Sequence, residues 1–203
     1  VHREENDMEP AITLKNLHKS FGKEEILHGI DREFASGKIH GIVGNNGSGK
    51  TVMMKCICGF LRPDEGQVIV NGKQIAKDID FPDSMGIIIE TPGFLPNMTG
   101  IKNLKLLASL RECIGTKEIC QALDRVGLDP ELKKPVSKYS LGMRQRLGIA
   151  QAIMENPSIL ILDEPFNGLD KNGVAQIRDL IRHLREEGKT ILLEGQLGTL
   201  KDP

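Results

Sequence analysis

The chain has 203 residues, 39% of them apolar, and its 27 basic and 28 acidic side chains leave a net charge of −1. That length suits one medium domain with a real core, and the charge balance excludes a protein that holds nucleic acid mainly by charge. No apolar run approaches the ~20 residues a membrane-crossing helix needs, and the polar, acidic start shows no secretory signal, so any membrane work is expected to pass through a partner.

Residues 1–10 read as a loose leader, predicted disordered, with Met8 a candidate start, and 11–203 as the working domain. Residues 11–17 and 26–34 alternate between apolar and polar, as half-buried antiparallel strands do. Residues 39–43 form a short apolar strand that runs into a glycine-rich loop, and a helix is predicted over 51–58, with Gly59 and Pro63 as stop signals. Residues 67–70 followed by Asn71-Gly72 read as a hairpin strand and its turn.

The stretch 92–155 is predicted mostly helical. Thr99 caps a helix that buries Ile101, Leu104, Ala108 and Leu110, and Thr116 caps the next, which ends near Gly127. Ser140 precedes a helix over 141–154 with Leu141, Leu147, Ala150 and Ile153 as its apolar positions. Residues 159–162 form a buried strand. Val174, Ile177, Leu180, Ile181 and Leu184 make a helical stripe closed by Gly188, and a further strand covers 190–193. The fold class is α/β: a parallel-sheet core, an antiparallel β layer and an α-helical subdomain over about 92–155. Of the four cysteines, Cys56-x-Cys58 lacks the partner pair of a zinc site; with Cys113 and Cys120 they are expected to be reduced thiols.

Gly44-Asn45-Asn46-Gly47-Ser48-Gly49-Lys50-Thr51 satisfies every position of the phosphate-loop pattern G-x-x-x-x-G-K-[ST]. Small residues let successive backbone N–H groups curl around phosphate oxygens. The loop opens a helix whose N-terminus favours anions. Lys50 offers a mobile positive charge to the β- and γ-phosphates, and Thr51 offers a hydroxyl to Mg²⁺. ATP and Mg²⁺ are the implied ligands.

Residues 159–162 end in Asp163-Glu164-Pro165. In a parallel sheet the carboxyl ends of the strands face the ligand crevice. Asp163 is thereby placed to hold Mg²⁺ through water, and Glu164 to orient and deprotonate an attacking water. Upstream, Tyr139-Ser140-Leu141-Gly142-Met143-Arg144-Gln145-Arg146-Leu147 begins a helix that Ser140 can cap, and the N–H groups of its first turn make a second anion site. Two anion sites far apart in one chain suggest two chains that share a nucleotide.

The stretch around Ser140 and Gly142 resembles the LSGGQ signature of ABC ATPases, with Leu141 in place of a glycine. Together with the phosphate loop and the Asp163-Glu164 strand, it makes roughly residues 11–195 resemble an ABC transporter ATP-binding subunit. That resemblance implies a P-loop NTPase fold of the RecA-like type and a dimer in which each ATP lies between one subunit's phosphate loop and the other's signature. It also implies membrane-spanning partners contacted through the helical insertion after Glu90, and a place on the cytoplasmic face of the cell membrane. Phe21 stands where the family stacks a ring on adenine. The nucleotide set is then Phe21 with Asn45, Asn46, Gly47, Ser48, Gly49, Lys50, Thr51 and Val52; the signature set is Ser140, Leu141 and Gly142; the metal set is Thr51, Asp163 and Glu90, the last where the family has a glutamine. Asn167-Gly168-Leu169-Asp170 looks like the D-loop. The segment Glu90-Thr91-Pro92-Gly93-Phe94-Leu95-Pro96-Asn97-Met98-Thr99-Gly100, taken with Ser140-Leu141-Gly142, resembles exporters of the bacitracin-resistance and lantibiotic-immunity kind, which implies an exported peptide or antibiotic.

The resemblance departs in two places. The family carries a histidine after the strand at 190–193, where Gln196 stands here, and none of the five histidines fits; His183 reads as a surface residue. Residues 197–203 do not read like the family's continuation, so the C-terminus after about 195 is either truncated or altered, or naturally divergent. Gln196 can donate a hydrogen bond to phosphate but carries no charge. Three readings follow: an ATPase that drives a transporter, a nucleotide-binding module with little hydrolysis, and a soluble ABC ATPase of DNA repair or translation. The last calls for a very long coiled coil or a second such domain, and neither is present in the sequence.

Overall fold

The computed structural model describes residues 9–90 and 93–194. Two sheets carry the fold. In the first, β1 (Pro10–Phe21) pairs antiparallel with β2 (Glu24–Ala35) on one side and with β4 (Glu65–Val70) on the other, and β4 pairs with β5 (Lys73–Gln74), giving the order β2-β1-β4-β5. Asn71 and Gly72, at φ 47° and 76°, turn β4 into β5 in two residues. Positive φ at both positions is what a type I′ hairpin needs, and Asn-Gly supplies it.

The second sheet is wholly parallel, in the order β3-β8-β7-β6, from β3 (Ile39–Ile42), β6 (Met85–Ile88), β7 (Ile159–Leu162) and β8 (Thr190–Glu194). Helices make the crossovers: α1 (Lys50–Ile57) after β3, then α2 (Gly100–Ala108), α3 (Thr116–Arg125) and α4 (Leu141–Ile153) between β6 and β7, and α5 (Lys171–Glu186) between β7 and β8.

The alternation of β7 explains the layering. Ile159 and Ile161 face a core shared with α1 and the antiparallel sheet, alongside Leu14, Met54 and Val68. Leu160 and Leu162 face the opposite core, with Leu104, Leu123, Leu147 and Ile181 from the helices. A strand covered on both faces reads as an unbroken apolar run, and burying each such Ile or Leu contributes roughly 1.5–3 kcal/mol. The helices of the insertion share this second core with the sheet, where α4 packs against β6. Among the described residues no helix is long and apolar enough to cross a membrane.

The structure corrects several sequence expectations. Helix α2 stops at Ala108, and Leu110 is 77% exposed. Gly115, not Thr116, caps α3, and the Glu118 carboxylate accepts from the Gly115 N–H at 2.9 Å. Leu141 is 56% exposed, because the first turn of α4 projects past the core. His183 is exposed, as expected. The proposed leader lies outside the described residues over 1–8, and Pro10 already belongs to β1.

Candidate functional site

The glycine-rich loop joins the carboxyl end of β3 to the amino end of α1. Gly49 is the N-cap of α1 at φ 84°, so no side chain caps the helix. The first helical N–H groups, at Lys50, Thr51 and Val52, have no carbonyl one turn back to bond. A Cβ at Gly49 would stand 2.9 Å from Ile26 Cγ2 and from Leu27 Cδ2. Glycine is therefore required there both for its conformation and for the close approach of β2.

Lys50 folds back over its own loop. Its Nζ donates to the carbonyls of Gly44 at 2.7 Å and Asn45 at 2.8 Å, and lies 3.2 Å from Glu194 Oε1. Thr51 Oγ1 donates to Asp163 Oδ2 at 3.3 Å, which joins α1 to the end of β7 across 112 residues of sequence. The Asp163 N–H bonds the Ile88 carbonyl at 2.8 Å, fixing the turn that follows β7 against β6. Glu164 next to it is exposed and adopts φ 46°, a left-handed conformation that costs a non-glycine residue energy. Its carbonyl accepts from Gln145 Nε2 of α4 at 3.2 Å, and Asn167 Nδ2 lies 3.4 Å from its Oε2. These two contacts hold the turn open toward the cleft.

A cleft of about 550 Å³ collects these groups: Phe21, Lys50, Thr51, Asp163, Glu164 and Glu194 all line it, together with Asn46, Gly47, Gly49, Val52 and Glu90. Phe21 is 50% exposed, with Lys19 Nζ 5.7 Å from its ring centroid, so the ring is available for stacking at the cleft's edge. Asn45 and Ser48 belong to the loop's own turn, Ser48 N–H to Asn45 carbonyl at 3.1 Å. Glu90 reaches the cleft at φ 62°, but its carboxylate is taken by Lys55 at 2.6 Å, one helical turn beyond Thr51. The metal set therefore comes together as the Thr51–Asp163 pair, with Glu90 turned to Lys55.

Those two oxygens suit a hard cation that keeps waters and substrate phosphates as its other ligands. Among the described residues no group of three or more His, Cys, Asp or Glu side chains could hold a metal by itself. The pair fits Mg²⁺ delivered with a nucleotide, and the ion would supply positive charge to the phosphate oxygens.

The signature residues form the start of α4. Ser140 caps it, its Oγ accepting from the Met143 N–H at 3.2 Å. Gly142 is needed for packing: a Cβ there would stand 2.7 Å from the Gly168 carbonyl, so this first turn lies directly on the Asn167–Asp170 turn. Leu141 lines the cleft of its own chain, while Ser140 and Gly142 do not.

Glu194 is a cleft residue that the sequence reading missed. It is the last residue of β8 and pairs in register with Ile42, the last residue of β3 before the loop. It is buried, and its Oε2 has no hydrogen-bond partner among the described residues. Burial first, and then the neighbouring Asp163 carboxylate, push its carboxyl above the usual range, while Lys50 pulls it back. The rule that places Asp163 at the crevice, an acid at the carboxyl end of a parallel strand, would have found Glu194 as well. Gln196, the other residue named for catalysis, lies outside the described residues.

A family model described as ABC transporter matches residues 27–167, more than half of the chain. Over 192 residues the chain is 43% identical to the bacitracin transport ATP-binding protein BcrA of Enterococcus faecalis, covering 94% of this chain and 62% of that protein. Over 189 residues it is 36% identical to the lantibiotic transport ATP-binding protein SrtF of Streptococcus pyogenes, covering 92% of this chain and 80% of that one. The dimeric structure of MJ0796, a bacterial ABC transporter cassette, superposes with a TM-score of 0.84 at 25% identity, over 93% of this chain and 90% of that one.

Proposed function

This chain belongs to the ABC transporter family, and from that premise we propose that it binds and hydrolyses Mg-ATP to energise export of a peptide or antibiotic-like cargo through separate membrane-spanning subunits. The observation that carries the chemistry is the single cleft shared by the uncapped start of α1, Lys50, Asp163 and Glu164. The phosphates lie on the N–H groups of α1 and draw Lys50 toward them. Phe21 stacks on the adenine. Thr51 and Asp163 hold the cation. Glu164 orients water and takes its proton. Ser140 and the first turn of α4 face a second chain's ATP, so the active unit is a pair.

The cargo class rests on the similarity to the bacitracin and lantibiotic transport proteins. The membrane subunit docks in a groove of about 800 Å³ between β6 and α2, where Phe60 and Leu106 are exposed. The transport relatives support a position at the cytoplasmic face of the membrane. The comparisons do not favour the alternative of a module with little hydrolysis, which rests on Gln196 and the unusual continuation after it.

Mg-ATP turnover measured over a range of protein concentrations tests the reading. Turnover per chain should rise with concentration, and Glu164→Gln should lower it by about 10²–10⁴-fold while nucleotide stays bound. Full turnover by Glu164→Gln would overturn the assignment of the base. Nucleotide binding without turnover by the unaltered chain would restore the Gln196 alternative.

A further inference from the structure

The Lys50 ammonium donates hydrogen bonds to Gly44 O at 2.7 Å and Asn45 O at 2.8 Å, and forms an ion pair with Glu194 Oε1 at 3.2 Å. The side chains of both Lys50 and Glu194 are close to nine-tenths buried, at 9% and 12% exposure. A phosphate that draws on this ammonium competes with its ion-pair partner Glu194, which makes the longest of the three contacts.

The displaced carboxylate is left facing Asp163. Its Oε2 is already without a partner among the described residues, and Asp163 stands beside it. A buried charge stripped of its counter-charge is strongly unfavourable. The arriving phosphates add negative charge to the same cleft, which Glu164 also lines.

Resting on the ATP-binding reading above, we propose that Glu194 competes with the nucleotide for Lys50, weakening nucleotide binding and selecting against triphosphate that arrives without a divalent cation. Glu194 is thus a positioning residue: it holds Lys50 folded over the phosphate loop. The cation-free triphosphate suffers most, since its terminal phosphate brings the most unneutralised charge to the Lys50 end of the cleft. A cation held by Thr51 and Asp163 relieves that repulsion, and the diphosphate brings less of it.

The test is equilibrium binding of ATP and ADP to the full chain, with Mg²⁺ and with a chelator, for the unaltered protein, Glu194→Gln and Glu194→Ser. Both variants are expected to bind cation-free ATP at least tenfold more tightly than the unaltered chain, with smaller gains for ADP and for Mg-ATP. Equal or weaker binding of cation-free ATP by both variants overturns the proposal. So does a uniform gain across all four ligand conditions, which is what a general change in loop stability would give. If the unaltered chain and both variants bind no nucleotide, the ATP-binding reading falls and this proposal with it; equal binding by all three proteins removes this proposal alone.

Discussion

The starts of α1 and α4 are chemically alike and built in opposite ways. Each helix presents N–H groups and the positive end of its dipole to solvent. At α4, Ser140 accepts from Met143 within the chain, so the helix is complete by itself. At α1 the N-cap is Gly49 and no side chain bonds the first turn. Helix α3 also begins at a glycine, but there Glu118 supplies the missing acceptor. Helix α1 has no acidic residue in its first turn and places Lys50 there instead. A helix start that a chain leaves uncapped, with Lys50 in its first turn, is finished by something outside the chain. The comparison separates a seat for phosphate from a lid that is stable before it meets one.

The sharpest way to break this contrast is to exchange the two losses. Lys50→Ala should weaken ATP binding by roughly 10–100-fold, the scale of losing one or two charge-assisted hydrogen bonds. Ser140→Ala should leave ATP affinity of the dilute chain within about twofold, because its own loop does not use α4. Isothermal titration at low protein concentration distinguishes them, and a large loss with Ser140→Ala in dilute solution would collapse the contrast.

Stability should rank the other way round from capping logic. Gly49→Ala forces a Cβ into the left-handed region against Ile26 and Leu27, which costs about 1–3 kcal/mol. Ser140→Ala removes one cap and should cost about 1 kcal/mol. For a domain of this size that is a fall of roughly 2–4 °C in the melting midpoint, so the Gly49 variant should melt lower than the Ser140 variant. The smallest effect concerns the far end of α1, where the helix is anchored. Cys56 and Cys58 are buried, which raises their thiols to about 11 and about 12. Since the thiolate is the reactive form, neither should react with a thiol reagent at pH 8 on the time that labels exposed Cys113. Mass spectrometry of the labelled native chain, with the unfolded chain as reference, reads this directly.

Much of this was legible in the sequence wherever the causes are local. The Asn71-Gly72 turn, the Thr99 and Ser140 caps, the glycine loop and the Ile159–Leu162 strand each follow from a few adjacent residues. The misses are the tertiary ones. Leu110 and Leu141 fit an apolar period, yet both side chains stay largely exposed, and periodicity alone carries no record of what lies opposite. Glu90 sits where a metal ligand was expected, but the reach of Lys55 from the next turn of α1 decides where its carboxylate rests. Glu194 meets Lys50 only because β8 inserts between β3 and β7, an adjacency that no stretch of sequence announces.

Backbone hydrogen exchange with and without Mg-ATP, on the chain diluted to where it is a monomer, tests the central claim most directly. ATP should slow exchange over residues 45–52 and leave residues 140–144 unchanged, since one chain seats phosphate on α1 alone. Protection confined to residues 140–144, or absent from 45–52 under saturating ATP, would contradict the account.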